Sequence, residues 1–210
     1  MSVDWNAVAL VWIAYAAATL SPGPASLAIM ALAAGEGRSR AVPFAAGIVA
    51  GSMIWGVIAA LGLVGALMAL GWAFVTIKVA GSLYLGWMAW RSLRAALSPA
   101  APPPARSLAG GAGALALRGV LFHLTNPKAA FAWVALVAIG LKPGATAATV
   151  VVMLAGCGAV GIATFGGMAL AFSSPLAMRA YARARRWIQG VAALVFGAFA
   201  LRLATLRAVA

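Results

Sequence analysis

The chain has 210 residues, 65% of them hydrophobic and 8% charged, with a formal net charge of +13 and a mean hydropathy of +1.05. A soluble domain carries about a quarter charged residues, and the Lys and Arg here gather in the gaps between apolar runs, which excludes a soluble enzyme or a nucleic-acid-binding domain. The single cysteine, Cys157, lies inside an apolar run and excludes a disulfide framework, a CxxC redox pair and a cysteine metal cluster.

Apolar runs fall at 7–33, 43–69, 72–91, 119–141, 146–172 and 187–206. A bilayer core about 30 Å thick takes roughly 20 apolar residues per helix, so an all-α integral membrane fold of six transmembrane helices is expected. The residues before run one, MSVDWN, hold Asp4 and no basic residue, whereas a signal peptide starts basic; run one is expected to stay as the first helix. Gap one, GEGRSR at 35–40, sets Arg38 and Arg40 against Glu36, and runs two and three meet in a tight, uncharged turn near Gly71. Run three carries Lys78, whose long stem reaches the interface. The long third gap holds Arg91, Arg94, Arg106 and Arg118 around SPAAPPPA, an extended solvated linker. Gap four has only Lys142 beside Pro143 and Gly144; gap five holds Arg179, Arg183, Arg185 and Arg186. Gly47 and Gly51 on run two, and Gly156, Gly158, Gly161 and Gly166 on run five, are spaced for close helix packing.

Basic odd gaps and bare even gaps place the odd gaps in the cytoplasm and both termini outside, against Arg202 and Arg207 at the outer end of helix six. Trp5, Trp87, Trp90 and Trp187 near span ends read as interfacial aromatics. The single membrane domain divides into a three-helix half at 1–94, a cytoplasmic Pro-rich linker at 95–117 and a second three-helix half at 118–210. Three helices per half make the halves, if related, inverted repeats, a common build for secondary transporters.

The chemistry concentrates at two proline breaks half a chain length apart. Run one contains Ser21-Pro22-Gly23-Pro24 and run four Thr125-Asn126-Pro127-Lys128. Proline removes a backbone donor and clashes with the preceding turn; Ser21 and Asn126 are suitable N-caps, and Pro22 and Pro127 suit the first position of a resuming half-helix. Pro22 lies about 15 residues in from the outer end of run one and Pro127 about nine in from Arg118 on the inner side, roughly 22 and 13 Å deep, so both breaks fall near, or just cytoplasmic of, the midplane. A half-helix N-terminus suits a substrate carboxylate, and the carbonyls around Ala18 to Leu20 and Leu124 to Thr125 suit an ammonium. Lys128 is costly inside a span and is expected to face the pathway. His123, one turn before Asn126, titrates near neutral pH when unperturbed and is a candidate for coupling beside Lys128, against a plain structural hydrogen bond. For Trp55 and Trp133, both mid-span, packing is the default.

These motifs resemble the LysE family of amino-acid exporters, which includes the homoserine/threonine-efflux type. SPGPASL at 21–27 is similar to its first-helix PGP motif, GEGRSRAVPFAAGIVAG at 35–51 to its first loop and second helix, and AGSLYLGWMAWRSLR at 80–94 to its third helix. GVLFHLTNPKAAFAW at 119–133 is similar to its NPK motif, and RRWIQGVAALVFGAFALRLA at 185–204 to its last helix. The resemblance implies a 3+3 fold, a bacterial inner-membrane location, a homo-oligomer, and secondary export of amino acids or related small metabolites driven by protons. One departure stands out: where many members carry an acidic or amide residue and then a histidine on helix two, this chain has Ser52 and Trp55, and no Asp or Glu lies in any span. A neutral or anionic amino acid is therefore expected rather than a basic one. The alternatives are an exporter of another solute or ion on the same fold, or a structural membrane protein without transport. A metal exporter wants inward carboxylates, histidines or thiols, and no cofactor motif is present.

Overall fold

In the computed structural model, residues 3–69, 71–98, 109–141 and 145–205 are described, without the side chains of 63–69, 71–78, 80 and 81. The side chain of Lys78, Arg106 and the proline-rich stretch 99–108, Lys142 to Gly144 and Arg207 lie outside the described residues. Everything described is helix or short connection. Helix α1 spans Trp5–Leu20, α2 Pro24–Glu36, α3 Arg38–Ala69, α4 Gly71–Leu97, α5 Ala112–Leu124 and α6 Pro127–Gly140. Then α7 runs Ala147–Gly161, a π-helical turn occupies Ile162–Gly166, and α8 (Gly167–Ala171) and α9 (Pro175–Thr205) follow.

Local chemistry sets the boundaries. Asp4 caps α1 by accepting from Ala7 N at 3.1 Å, and Thr146 caps α7 by accepting from Thr149 N at 3.2 Å. Gly37 ends α2 at φ 80°, a left-handed conformation that glycine adopts without steric cost. The turn expected near Gly71 falls where α3 ends at Ala69 and α4 starts at Gly71. Because α4 continues to Leu97 and α5 begins at Ala112, the ends of the expected 95–117 linker are helical.

Helices α3 (over Arg38–Gly62), α7 with its continuation (Ala147–Ala171) and α9 are each long and apolar enough to cross a membrane. Two bent pairs, α1 with α2 at 52° and α5 with α6 at 64°, meet the same measure when each pair is taken together, as a broken span or a re-entrant loop. The third expected span, at 72–91, coincides with the 27-residue α4, which does not meet the same measure over its described residues and carries Arg91 and Arg94 near its end.

Helix α4 packs along α9, α3 along α5, and α1 against α6 and α7, while α2 rests on α3 and α8. Close approach of α3 and α5 depends on glycine: a Cβ on Gly47 would run into the Ala116 carbonyl, and one on Gly119 into that of Phe44. In the other glycine series the roles divide. Gly156 and Gly161 make room for the Trp12 ring and the Tyr15 hydroxyl, whereas Gly166 has nothing within 4 Å and takes no part in packing. Trp5, Trp87, Trp90 and Trp187 are all exposed, and Trp87 and Trp90 lie under the Arg91 and Arg94 guanidinium groups at 5.3 and 5.0 Å.

Two apolar cores result. One gathers Val11, Tyr15, Trp133, Leu136, Met153 and Phe196 around α1, α6 and α7; the other gathers Ile29, Phe44, Ile48, Leu115 and Phe165 around α2 and α3. Between them lie the two helix breaks.

Candidate functional site

Both breaks follow from proline. The residue before a proline is pushed out of the α region; Ser21 has ψ 123° and Gly23 ψ −177°. With two prolines two residues apart, the chain stays extended through Gly23, and α2 resumes only at Pro24. The expectation that Ser21 is an N-cap with Pro22 in first position is therefore corrected: Ser21 closes α1, Gly23 is the N-cap of α2, and Pro24 holds the first position. The second break behaves as expected. Asn126 accepts from Lys128 N at 3.0 Å through Oδ1, and Pro127 opens α6.

The two half-helix starts consequently differ. No side chain caps α2, and its first amide to reach back is Leu27 N, to Gly23 O at 2.9 Å. Pro24 has no N–H, so the amides of Ala25 and Ser26 are without an intrahelical acceptor. The end of α6, by contrast, is closed by Asn126, whose carbonyl also accepts from Ala129 N at 2.9 Å.

Lys128 joins the breaks. Its Nζ donates to the Ser21 carbonyl at 2.9 Å, across 107 positions of sequence. Ser26 Oγ donates to the same carbonyl at 3.4 Å and to that of Thr19 at 3.3 Å. The Thr19 and Ser21 carbonyls at the end of α1 are thus satisfied from α2 and α6, and the ammonium sits at the negative end of the α1 dipole. Of the expected acceptors around Ala18 to Leu20, Thr19 is used, and Ser21 is added. Lys128 passes directly over Gly23: a Cβ there would lie 2.7 Å from Nζ and 2.9 Å from Cδ.

These groups line one cavity between the two helix breaks. Gly23, Ala25, Ser26, Asn126 and Lys128 form the end at the breaks; Ala18, Ala129, Ala132 and Leu136 form an apolar flank. A third wall is polar. Ser52 Oγ accepts from Trp133 Nε1 at 2.9 Å and hydrogen-bonds the Tyr15 hydroxyl at 2.9 Å, with the Tyr15 and Trp133 rings 5.2 Å apart. His123 lines the cavity, is 5% exposed, and its Nδ1 has no hydrogen-bond partner. Its ring meets Phe165 edge-on at 6.0 Å. Phe165 comes from the π-helical turn, a distortion often found at functional sites.

Of the residues singled out in the sequence, Gly23, His123, Asn126 and Lys128 line the cavity. Ser21 contributes its carbonyl from just behind the wall, and Pro22, Pro24 and Pro127 shape the breaks without facing the cavity. Trp133, expected to be packing, both packs and lines; Trp55 only packs. Tyr15, Ser26 and Phe165 were not singled out. Ser26, the second residue after Pro24, had a local signal, a hydroxyl in the first turn beyond a proline.

A family model described as LysE type translocator matches residues 16–207. The threonine efflux protein of Escherichia coli strain K12 is 35% identical over 196 residues, covering 89% of this chain and 91% of that protein. That of Salmonella typhi is 35% identical over 191 residues with the same coverage. The uncharacterized membrane protein YahN of Escherichia coli K12 is 25% identical over 183 residues, covering 87% of this chain and 82% of that one. No solved structure matches the chain significantly.

Proposed function

The chain belongs to the LysE type translocator family, a family of transporters and not of enzymes, and from that premise we propose that it exports small neutral amino acids, or closely related metabolites, through the cavity between its helix breaks. The observation that carries this reading is the unpaired charge chemistry there: an ammonium, Lys128, beside the uncapped start of α2, with no acidic side chain in any span. A substrate carboxylate fits between them, accepting from the amides of Ala25 and Ser26 and from Lys128 Nζ. Its apolar part lies against Ala129, Ala132 and Leu136. The similarity, at 35% identity, to threonine efflux proteins agrees with a small polar amino acid.

The reading extends to topology. Six passes in two inverted three-helix halves, with both termini outside a bacterial inner membrane, fit the paired breaks and the reciprocal packing. Helix α3 lies on α5 as α1–α2 lies on α7–α8, and α4 lies on α6 as α1 lies on α9. Export is driven by the proton-motive force, with His123 or Lys128 as the group that exchanges a proton, and the working unit is a homo-oligomer.

The test is efflux from proteoliposomes loaded with a mixture of amino acids under an imposed pH gradient, followed by mass spectrometry. Wild type should release a few neutral amino acids, and Lys128→Ala should lose that release by roughly tenfold or more. Release of lysine or arginine alone, or equal release by both proteins, refutes the proposal.

A further inference from the structure

The inventory of charge around the cavity is one-sided. Its cationic elements are the Lys128 ammonium and the open N-terminus of α2, whose dipole end is positive. Its one negative element is the C-terminal end of the α1 dipole, which Lys128 already occupies, and it has no carboxylate. The chain holds two acidic residues, Asp4 capping the far end of α1 and Glu36 in an ion pair with Arg40 at the end of α2, and neither lines the cavity. An amino-acid substrate offers both a carboxylate and an ammonium, and only the carboxylate has an opposite charge waiting. Only neutral acceptors remain for the ammonium: backbone carbonyls, the Ser52 and Tyr15 hydroxyls and a ring nitrogen of His123. The carbonyls of Thr19 and Ser21 already accept from Ser26 and Lys128, and the Asn126 side-chain oxygen already accepts from Lys128 N. A substrate ammonium would also feel the like charge of Lys128 in a site of low dielectric.

A second observation concerns another residue of the same cavity. His123 is buried to 5% exposure, lines the cavity, and its Nδ1 has no hydrogen-bond partner. Buried polar atoms are nearly always paired, so an orphan ring nitrogen on a cavity wall marks a place for a ligand's polar group; a hydroxyl suits it in either tautomer, an ammonium only in the accepting one. A neutral imidazole nitrogen answers an O–H by accepting or donating according to its tautomer.

We infer that the site selects its substrate by the carboxylate and not by the amine, so that small hydroxy monocarboxylates, with a hydroxyl in place of the ammonium, are exported as well. The inference rests on the reading of this cavity as the transport site and names a substrate class beyond amino acids.

The experiment loads proteoliposomes of the full chain at neutral pH with threonine, 2-hydroxybutyrate and threoninamide in equal amounts, the membrane potential clamped, and compares efflux with protein-free vesicles. Threonine and 2-hydroxybutyrate should leave at rates within about tenfold of one another, a difference of one charged contact or less, and threoninamide should leave no faster than from empty vesicles. Lys128→Ala should abolish both carboxylate fluxes together. Threonine efflux without 2-hydroxybutyrate efflux overturns this inference alone, as does efflux of threoninamide. Efflux of 2-hydroxybutyrate without threonine upholds it and overturns the amino-acid reading; failure of all three overturns both.

Discussion

Gly23 is a position where sequence suggests one reason for glycine and the structure another. Its backbone, at φ −148° and ψ −177°, is extended and open to any residue, so conformational freedom is not what requires a glycine. Space for Lys128 is. In Gly23→Ala the new Cβ meets Nζ at 2.7 Å and Cδ at 2.9 Å. If Lys128 holds its place the strain is that of an overpacked site, about 1–3 kcal/mol. If it swings away, the charged hydrogen bond to Ser21, 2.9 Å long, is lost at about 1.5–3 kcal/mol. Alanine restricts the unfolded chain and returns about 0.4–1 kcal/mol. The net expectation is a loss of about 1–2 kcal/mol, or about 2–8 °C in midpoint for a chain of this size.

The Lys128→Ala background decides the cause. There the three atoms nearest the new Cβ are gone, and Gly23→Ala should be neutral or stabilising by up to about 1 kcal/mol. Thermal unfolding of wild type, both single variants and the double variant in one detergent gives the coupling directly. Equal destabilisation by Gly23→Ala in both backgrounds would refute the steric account and return the glycine to a backbone role.

Substitutions at four further positions probe the same architecture. Asn126→Ala removes the cap of α6 and should cost about 1 kcal/mol in thermal unfolding, with Asn126→Ser restoring most of it. Ser52→Ala strands the buried Trp133 Nε1 and Tyr15 hydroxyl and should cost about 1–3 kcal/mol, together with a change in tryptophan fluorescence that a remote cavity would not produce. Gly47→Ala drives a methyl into the Ala116 backbone and should cost about 1–3 kcal/mol or more, whereas Gly62→Ala, with nothing within 4 Å, should raise the midpoint by the equivalent of about 0.5–1 kcal/mol.

What the sequence made legible was local. The two breaks were readable because proline acts on its own neighbours, and Asn126 was readable as a cap because it needs only the amide two residues on. Even the misplaced cap at Ser21 has a local remedy: the rule that a residue before proline leaves the helix applies to Gly23 as well as Ser21, and together they push the restart to Pro24. The polar wall was beyond reach for a different reason. Tyr15, Ser52 and Trp133 are joined across 37 and 81 positions, a register fixed only when three helices pack. The π-helical turn that delivers Phe165 also left no trace in hydropathy, since the run from 146 to 172 is uniformly apolar.

The absence of acids from the spans, a departure when seen against the family pattern, becomes coherent once Lys128 is placed. A lone ammonium inside a bilayer is costly and needs a partner. A fixed carboxylate would satisfy it permanently and compete with the carboxylate of any substrate. The Ser21 carbonyl, at the negative end of α1, is a weaker partner: sufficient to hold the side chain when the cavity is empty, and displaceable by a charged one. The same bond ties the first break to the second, so a carboxylate that draws Lys128 toward α2 loosens the contact between α1 and α6. On the proposed reading, binding a carboxylate and releasing that tether would be one event, which is how a ligand with unequal affinity for two arrangements shifts the balance between them.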